Sequence, residues 1–161
     1  MEYRTGLGYD IHRFAKNRKL ILGGVEIKHE MGLDGHSDAD VLLHAVCDAL
    51  LGALGKGDIG EHFPNTDKKY KDVSSLALLE KVYRLVQEEG FSVSFIDTVI
   101  QAEEPNIKKY KPEIRANIAS RTGLDVERVN VKATTQEGLG AIGRKEGIAA
   151  FAVATIVRTK Q

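Results

Sequence analysis

The sequence predicts a two-layer α/β (α+β) sandwich, a mixed β-sheet with helices on one face. Three observations lead there. Segments with strand periodicity alternate with segments of helical periodicity along the whole chain. The segment IAAFAVATIV (148–157) is apolar on both faces, as a strand in the middle of a sheet must be. Between Val41 and Leu54 the only polar side chains are His44 and Asp48, so this helix is buried and its polar groups need partners.

The elements follow in order. Residues 3–12 read as a first strand, and alternation puts Asp10 and His12 on one face with Leu7, Tyr9 and Ile11 on the other. Residues 20–27 read as a tight hairpin, because the pair Gly23-Gly24 supplies the positive φ angles of such turns. The loop MGLDGHSDAD leads into the apolar helix, with Ser37 as the predicted N-cap and Asp40 three residues on as its capping-box partner. Residues 55–72 are polar and contain glycine, the composition of a loop. Ser74 or Ser75 caps an amphipathic helix to about Glu89, which Gly90 stops. Residues 91–101 form a strand, residues 102–114 a loop whose end opens a helix to about Thr122, and residues 128–133 a strand with Val129, Val131 and Ala133 inward.

The chain has 161 residues, enough for one domain (1–161) with a core that folds without disulfides. Lysine plus arginine balance aspartate plus glutamate at 23 each, so no global field favours nucleic acid or an acidic membrane. Cys47 is the only cysteine and lies in the apolar helix, which fits a reducing, cytoplasmic compartment. No signal peptide and no membrane-spanning run are expected.

Asp10 and His12 on a strand, with His44 on a facing helix, would give a cation three ligands and leave a fourth position open for substrate. Gly6 and Gly8 keep that strand face uncrowded. Asp40, His44 and Asp48 form a stripe, and one of these carboxylates is expected to orient the imidazole. On spacing alone, a satisfied core histidine remains an equal alternative. His36 and Ser37 sit before a helix N-terminus, where phosphate is favoured; plain capping is the rival reading for Ser37.

In TTQEGLGAIGRKEG (134–147), Thr134 and Thr135 can donate to phosphate oxygens, Glu137 can hold a hard cation and Arg144 can bind an anion. A polar turn explains them equally. The GxGxxG match at Gly138–Gly143 is rejected as a dinucleotide fingerprint, because too little chain follows to complete the nucleotide-binding half. Residues 102–114 have the character of a nucleotide-base pocket. His29 and His62 read as surface residues, and Lys68, Lys69 and Lys71 as a solvated face.

Taken together, GYDIH, GHSDADVLLHA, GDIGEHFPNTD and VKATTQEGLG followed by GRKEGIA resemble the 2-C-methyl-D-erythritol 2,4-cyclodiphosphate synthase family, in its order and nearly end to end. The resemblance implies a ferredoxin-like fold and a cytoplasmic homotrimer with active sites between subunits. It implies a lyase of non-mevalonate isoprenoid biosynthesis. Its substrate would be 4-diphosphocytidyl-2-C-methyl-D-erythritol 2-phosphate, cyclised by attack of the 2-phosphate on the β-phosphate with release of CMP.

Carried over, Zn²⁺ would be held by Asp10, His12 and His44, and Mg²⁺ or Mn²⁺ on the diphosphate by Glu137. His36 and Thr135 would stabilise the transition state, with Ser37 also touching substrate. Asp58, Ile59 and Gly60, then Phe63, Asn65 and Asp67, would surround the methylerythritol phosphate. Ala102, Pro105, Asn106, Ile107 and Lys108, with Thr134 and Thr135, would take the cytidine end.

The substrate's own phosphate is an ionised nucleophile, so alignment and charge neutralisation would suffice. Pre-aligned intramolecular attack lowers a barrier by roughly 7–11 kcal/mol. Three positions depart from the family pattern: Asn65 replaces an acid, Ala141 an aromatic and Lys145 a glycine. In relatives that aromatic and the arginine matching Arg144 line a cavity on the trimer axis that takes isoprenoid diphosphates; the loss at Ala141 weakens that ligand's case here. The competing readings are a zinc-dependent phosphoesterase using an activated water, and a non-catalytic trimeric metal-binding module, which would need four protein ligands.

Overall fold

The computed structural model describes residues 1–159. A five-stranded sheet has the order β4 (Gly32–Leu33), β1 (Glu2–Ala15), β7 (Gly147–Arg158), β5 (Ser92–Gln101), β6 (Val129–Thr134). β7 pairs antiparallel with both β1 and β5 and so takes the central place that its two apolar faces demand. β5 and β6 are parallel, which makes the sheet mixed. A small hairpin, β2 (Leu20–Leu22) and β3 (Val25–Ile27), stands apart.

The helices are α1 (Val41–Leu54), α2 (Ile59–His62), α3 (Ser75–Glu88), α4 (Lys111–Thr122) and α5 (Gly140–Gly143). α1 packs on β1 and β7, and α3 packs on α1. Among the described residues, no helix is long and apolar enough to cross a membrane.

The two-layer mixed sandwich is present, but the ferredoxin-like order is not. The main elements run β-α-α-β-α-β-β, whereas a ferredoxin-like unit runs β-α-β-β-α-β. The cause is the last connection: β6 passes to β7 through residues 135–146, which hold only the one-turn α5, so no full helix separates them.

Backbone approach sets the position of α1. A Cβ on Gly8 would lie 1.8 Å from the Ala45 carbonyl oxygen, and one on Gly6 2.0 Å from that of Ala49. The face that these glycines leave clear is therefore filled by the backbone of α1. This places His44 directly over Asp10 and His12.

Several local expectations are corrected. Asp40, not Ser37, caps α1: one carboxylate oxygen accepts from Leu43 N and Gly23 N, both at 3.0 Å, and the other from Gly24 N at 2.7 Å. Asp40 is fully buried, so it binds the hairpin turn and the helix end together. Ser74 occupies the cap position of α3, but its hydroxyl makes no cap bond; Asp38 supplies the acceptor, taking Ser75 N at 3.0 Å.

Residues 55–72 are not all loop, because Asp58 nucleates α2 by accepting from Glu61 N at 3.0 Å. Ala133 is exposed rather than inward, since the end of β6 opens onto a cleft against residues 102–111. His29 is no free surface group: its ring stacks on Phe14 with centroids 5.0 Å apart. His62 also has a partner, donating from Nε2 to the Lys56 carbonyl at 2.8 Å.

The face of the sheet away from the helices carries Tyr3, Leu7, Tyr9, Ile11, Phe95 and Val153, all exposed, with Leu7 at 66%.

Candidate active site

Asp10 and His12 come from β1 and His44 from the second turn of α1, and the three meet at one point. Asp10 Oδ2 lies 2.8 Å from His12 Nε2 and 3.0 Å from His44 Nδ1; the two nitrogens are 3.3 Å apart. A tetrahedral cation with bonds of roughly 2.0–2.1 Å needs donors roughly 3.3–3.4 Å apart. Opening the triad by about half an ångström or less would seat one.

The far nitrogens of both rings are already committed. His12 Nδ1 donates to the Asp34 carbonyl at 2.6 Å, which leaves Nε2 free to ligate. His44 Nε2 lies 3.1 Å from the hydroxyls of both Ser37 and Ser75. The two nitrogens and one carboxylate oxygen therefore fit a metal ion, with one side left to solvent and substrate.

The charges agree. Burial opposes ionisation of Asp10, but hydrogen bonds from His12 and His44 outweigh it and hold the carboxyl well below the usual carboxylate range. Burial likewise works against a charged His12, yet its bond to Asp10 raises its pKa above the ordinary 6.5.

The expected carboxylate partner of His44 on its own helix is absent. Asp40 caps α1, and Asp48 accepts from Ile59 N at 2.7 Å, joining α1 to α2. Burial raises the Asp48 carboxyl's pKa.

The triad opens into a cleft of about 220 Å³ that also receives His36, Ser37, Ile59, Gly60, Phe63 and Asn65. His36 Nε2 is buried and has no hydrogen-bond partner among the described residues. Arg18 clamps the backbone on either side of His36, donating to Gly35 O at 2.9 Å and Ser37 O at 2.7 Å. Asp58 and Asp67 do not line the cleft; they cap the short helical turns that shape its rim.

A second cleft of about 300 Å³ gathers Ala102, Pro105, Asn106, Ile107 and Lys108 with Thr134 and Thr135. Glu103 holds the adjoining turn by accepting from Gln136 N at 2.6 Å. In that turn Glu137 is exposed, and Thr135 Oγ accepts from its backbone N–H at 3.3 Å.

The two clefts are separate. Asp10 pairs with Ala150, Ala150 with Ile100 and Ile100 with Ala133, so three strand spacings, roughly 14 Å, divide them. Arg144 pairs with Glu146 at 2.7 Å, outside both clefts, and Ala141 lies in a small pocket with Ile11 and Ile142.

Sequence reasoning missed Asp38 and Ser75 behind His44, and Tyr70, Val73 and Leu78 in the cleft wall. Only the long-range fold brings them there.

The YgbB family model matches residues 3–157. The chain belongs to the YgbB family of cyclodiphosphate synthases. Its YgbB relatives include the 2-C-methyl-D-erythritol 2,4-cyclodiphosphate synthase of Alkaliphilus metalliredigens, 58% identical over 95% of this chain and 96% of that one. The enzyme of the same name from Desulfosudis oleivorans is 56% identical over 96% and 92%.

Among solved structures, the bifunctional IspDF of Campylobacter jejuni superposes with a TM-score of 0.94 at 48% identity. It covers 99% of this chain, which spans 43% of that longer one. The CDP complex of Plasmodium falciparum IspF gives 0.85 at 32% identity, covering 98% and 97%.

Proposed function

We propose that the protein is a phosphorus–oxygen lyase that closes 4-diphosphocytidyl-2-C-methyl-D-erythritol 2-phosphate into 2-C-methyl-D-erythritol 2,4-cyclodiphosphate and releases CMP, as its relatives' names imply. The observation that carries the reading is the three-ligand Asp10–His12–His44 centre with an open side facing the cleft. We assign it to Zn²⁺, whose usual donors these are, and Glu137 with the substrate diphosphate to Mg²⁺ or Mn²⁺. Bound there, the cations would supply Lewis-acid polarisation of phosphoryl oxygens.

The chain's own groups do the rest. His36, which lines the cleft and whose Nε2 has no hydrogen-bond partner among the described residues, donates to a phosphate oxygen as charge builds in the transition state. The Thr135 hydroxyl, whose oxygen already accepts from Glu137 N, keeps its proton for a second phosphate oxygen. Ile59, Gly60, Phe63 and Asn65 hold the methylerythritol phosphate, and Asp58 and Asp67 keep the surrounding turns in shape. Residues 102–108 with Thr134 and Thr135 take the cytidine. Held at both ends, the substrate brings its 2-phosphate onto its β-phosphate without a general base.

The proposal includes a cytoplasmic homotrimer built on one synthase domain, 1–161. The exposed apolar sheet face suits burial against further copies, and a site shared between copies would join two clefts that stand apart in one chain. Light scattering should then give three times the 17.7 kDa chain mass. An axial isoprenoid diphosphate is not part of the proposal, because Ala141 offers no aromatic wall and Arg144 is paired with Glu146. The reading is tested by phosphorus NMR of the product: equimolar CMP and a cyclic diphosphate support it, and an open-chain phosphate with CMP points to the phosphoesterase.

A further inference from the structure

His44 Nε2 has two hydroxyl neighbours, and one of them is not free to choose its role. Ser75, the first residue of α3, is fully buried, and its Oγ contacts both His44 Nε2 at 3.1 Å and the Asp38 carboxylate in a hydrogen bond. A carboxylate only accepts, so the Ser75 proton goes to Asp38. The Ser75 oxygen can then only accept from His44, which keeps a proton on Nε2 and leaves Nδ1, the nitrogen that bonds Asp10 in the metal-free site, as the one that gives up its proton to ligate a metal.

Asp38 is itself anchored by backbone donors, Ser75 N at 3.0 Å and Asp40 N at 3.2 Å. Ser37 Oγ, which accepts from Ala39 N at 3.3 Å, keeps a proton that rotates and does not decide the tautomer by itself.

We infer that Asp38 and Ser75 are positioning residues of the metal centre: Ser75 transmits the carboxylate of Asp38 to His44 Nε2 and so fixes Nδ1 as the ligating atom. This rests on the zinc reading of the triad and deepens it. His12 is held by a simpler device, the Asp34 carbonyl on Nδ1, so one loop, residues 34–38, sets the tautomers of both ligating histidines.

The test is zinc affinity by chelator competition on the full chain, with thermal unfolding of the zinc-free protein as control. In Ser75→Ala the backbone N–H still bonds Asp38, so the α3 cap survives while the relay is lost. We expect zinc to bind about 10–100-fold more weakly with the zinc-free unfolding midpoint nearly unchanged. Turnover should return at saturating zinc with KM for the nucleotide substrate unaltered.

Asp38→Asn should act in the same direction but less strongly, because its one neutral acceptor oxygen must serve three donors, Ser75 Oγ and Asp40 N on one carboxylate oxygen now and Ser75 N on the other. If Ser75→Ala keeps zinc within twofold of wild type, or loses it only in step with stability, the relay is wrong. Wild-type affinity that is insensitive to His44→Ala would overturn the zinc reading and the relay together. Affinity that needs His44 but not Ser75 overturns the relay alone.

Discussion

Replacing Gly8 by alanine should unseat the metal centre without touching any of its ligands. The new Cβ would stand 1.8 Å from the Ala45 carbonyl oxygen and 2.8 Å from Ala49 N, where real contacts need at least 3.0 Å. Both neighbours are backbone of α1, so no side chain can rotate away; strand and helix must separate by about 1.2 Å. Ala45 follows His44 directly, so the shift carries His44 Nδ1 from its 3.0 Å separation from Asp10 Oδ2 to about 4 Å. Donors that share one tetrahedral cation sit roughly 3.3–3.4 Å apart, so the ion loses a ligand. Overpacking of this kind costs about 3 kcal/mol, the upper end of the usual range. At roughly 2–4 °C per kcal/mol for a chain of this size, the unfolding midpoint should fall by about 6–12 °C. Thermal unfolding and metal analysis of the purified variant measure both effects. A Gly8→Ala protein with an unchanged midpoint and a full complement of metal would refute the reasoning.

Four further outcomes are expected. Asp40→Asn should destabilise by about 1–3 kcal/mol in denaturant unfolding, because the buried amide turns a donor toward a backbone N–H that now has an acceptor. Zinc affinity should fall with acidification from a pH above 6.5, since the raised His12 keeps its proton longer than an ordinary histidine while Asp10 stays ionised. By the same shifts, in metal-free protein the His12 contribution is whole below pH 6.5 and lost as pH rises, and that of Asp10 is whole above 3.8 and lost on acidification; melts with and without chelator at pH 5 and 8 should show metal stabilising more at 8. Glu137→Gln should raise the Mg²⁺ or Mn²⁺ concentration needed for half-maximal turnover, with zinc content unchanged in metal analysis.

The Asp10–His12–His44 cluster was readable because its signals are local. Strand alternation alone puts Asp10 beside His12, and a histidine in an otherwise apolar helix must have a partner. What stayed hidden depends on distant chain. Asp40 rather than Ser37 caps α1 because the turn at Gly23-Gly24 folds back onto it, 16–17 residues away. Asp38 and Ser75 reach each other across 37 residues, and no periodicity announces that. Ala133 alternates like a buried residue, yet β6 is an edge strand and, among the described residues, nothing covers its end. The strand order turned on whether the 135–146 connection holds a full helix, and its glycine-rich, polar residues form one turn instead.

The central claim is that this site turns a phosphate of the substrate, not water, onto the diphosphate. Turnover of the cytidine-linked substrate in water labelled with oxygen-18, read by mass spectrometry, addresses it directly. The account predicts that neither the CMP nor the cyclic diphosphate takes up label. Oxygen-18 in a released phosphate, in proportion to CMP formed, would contradict it.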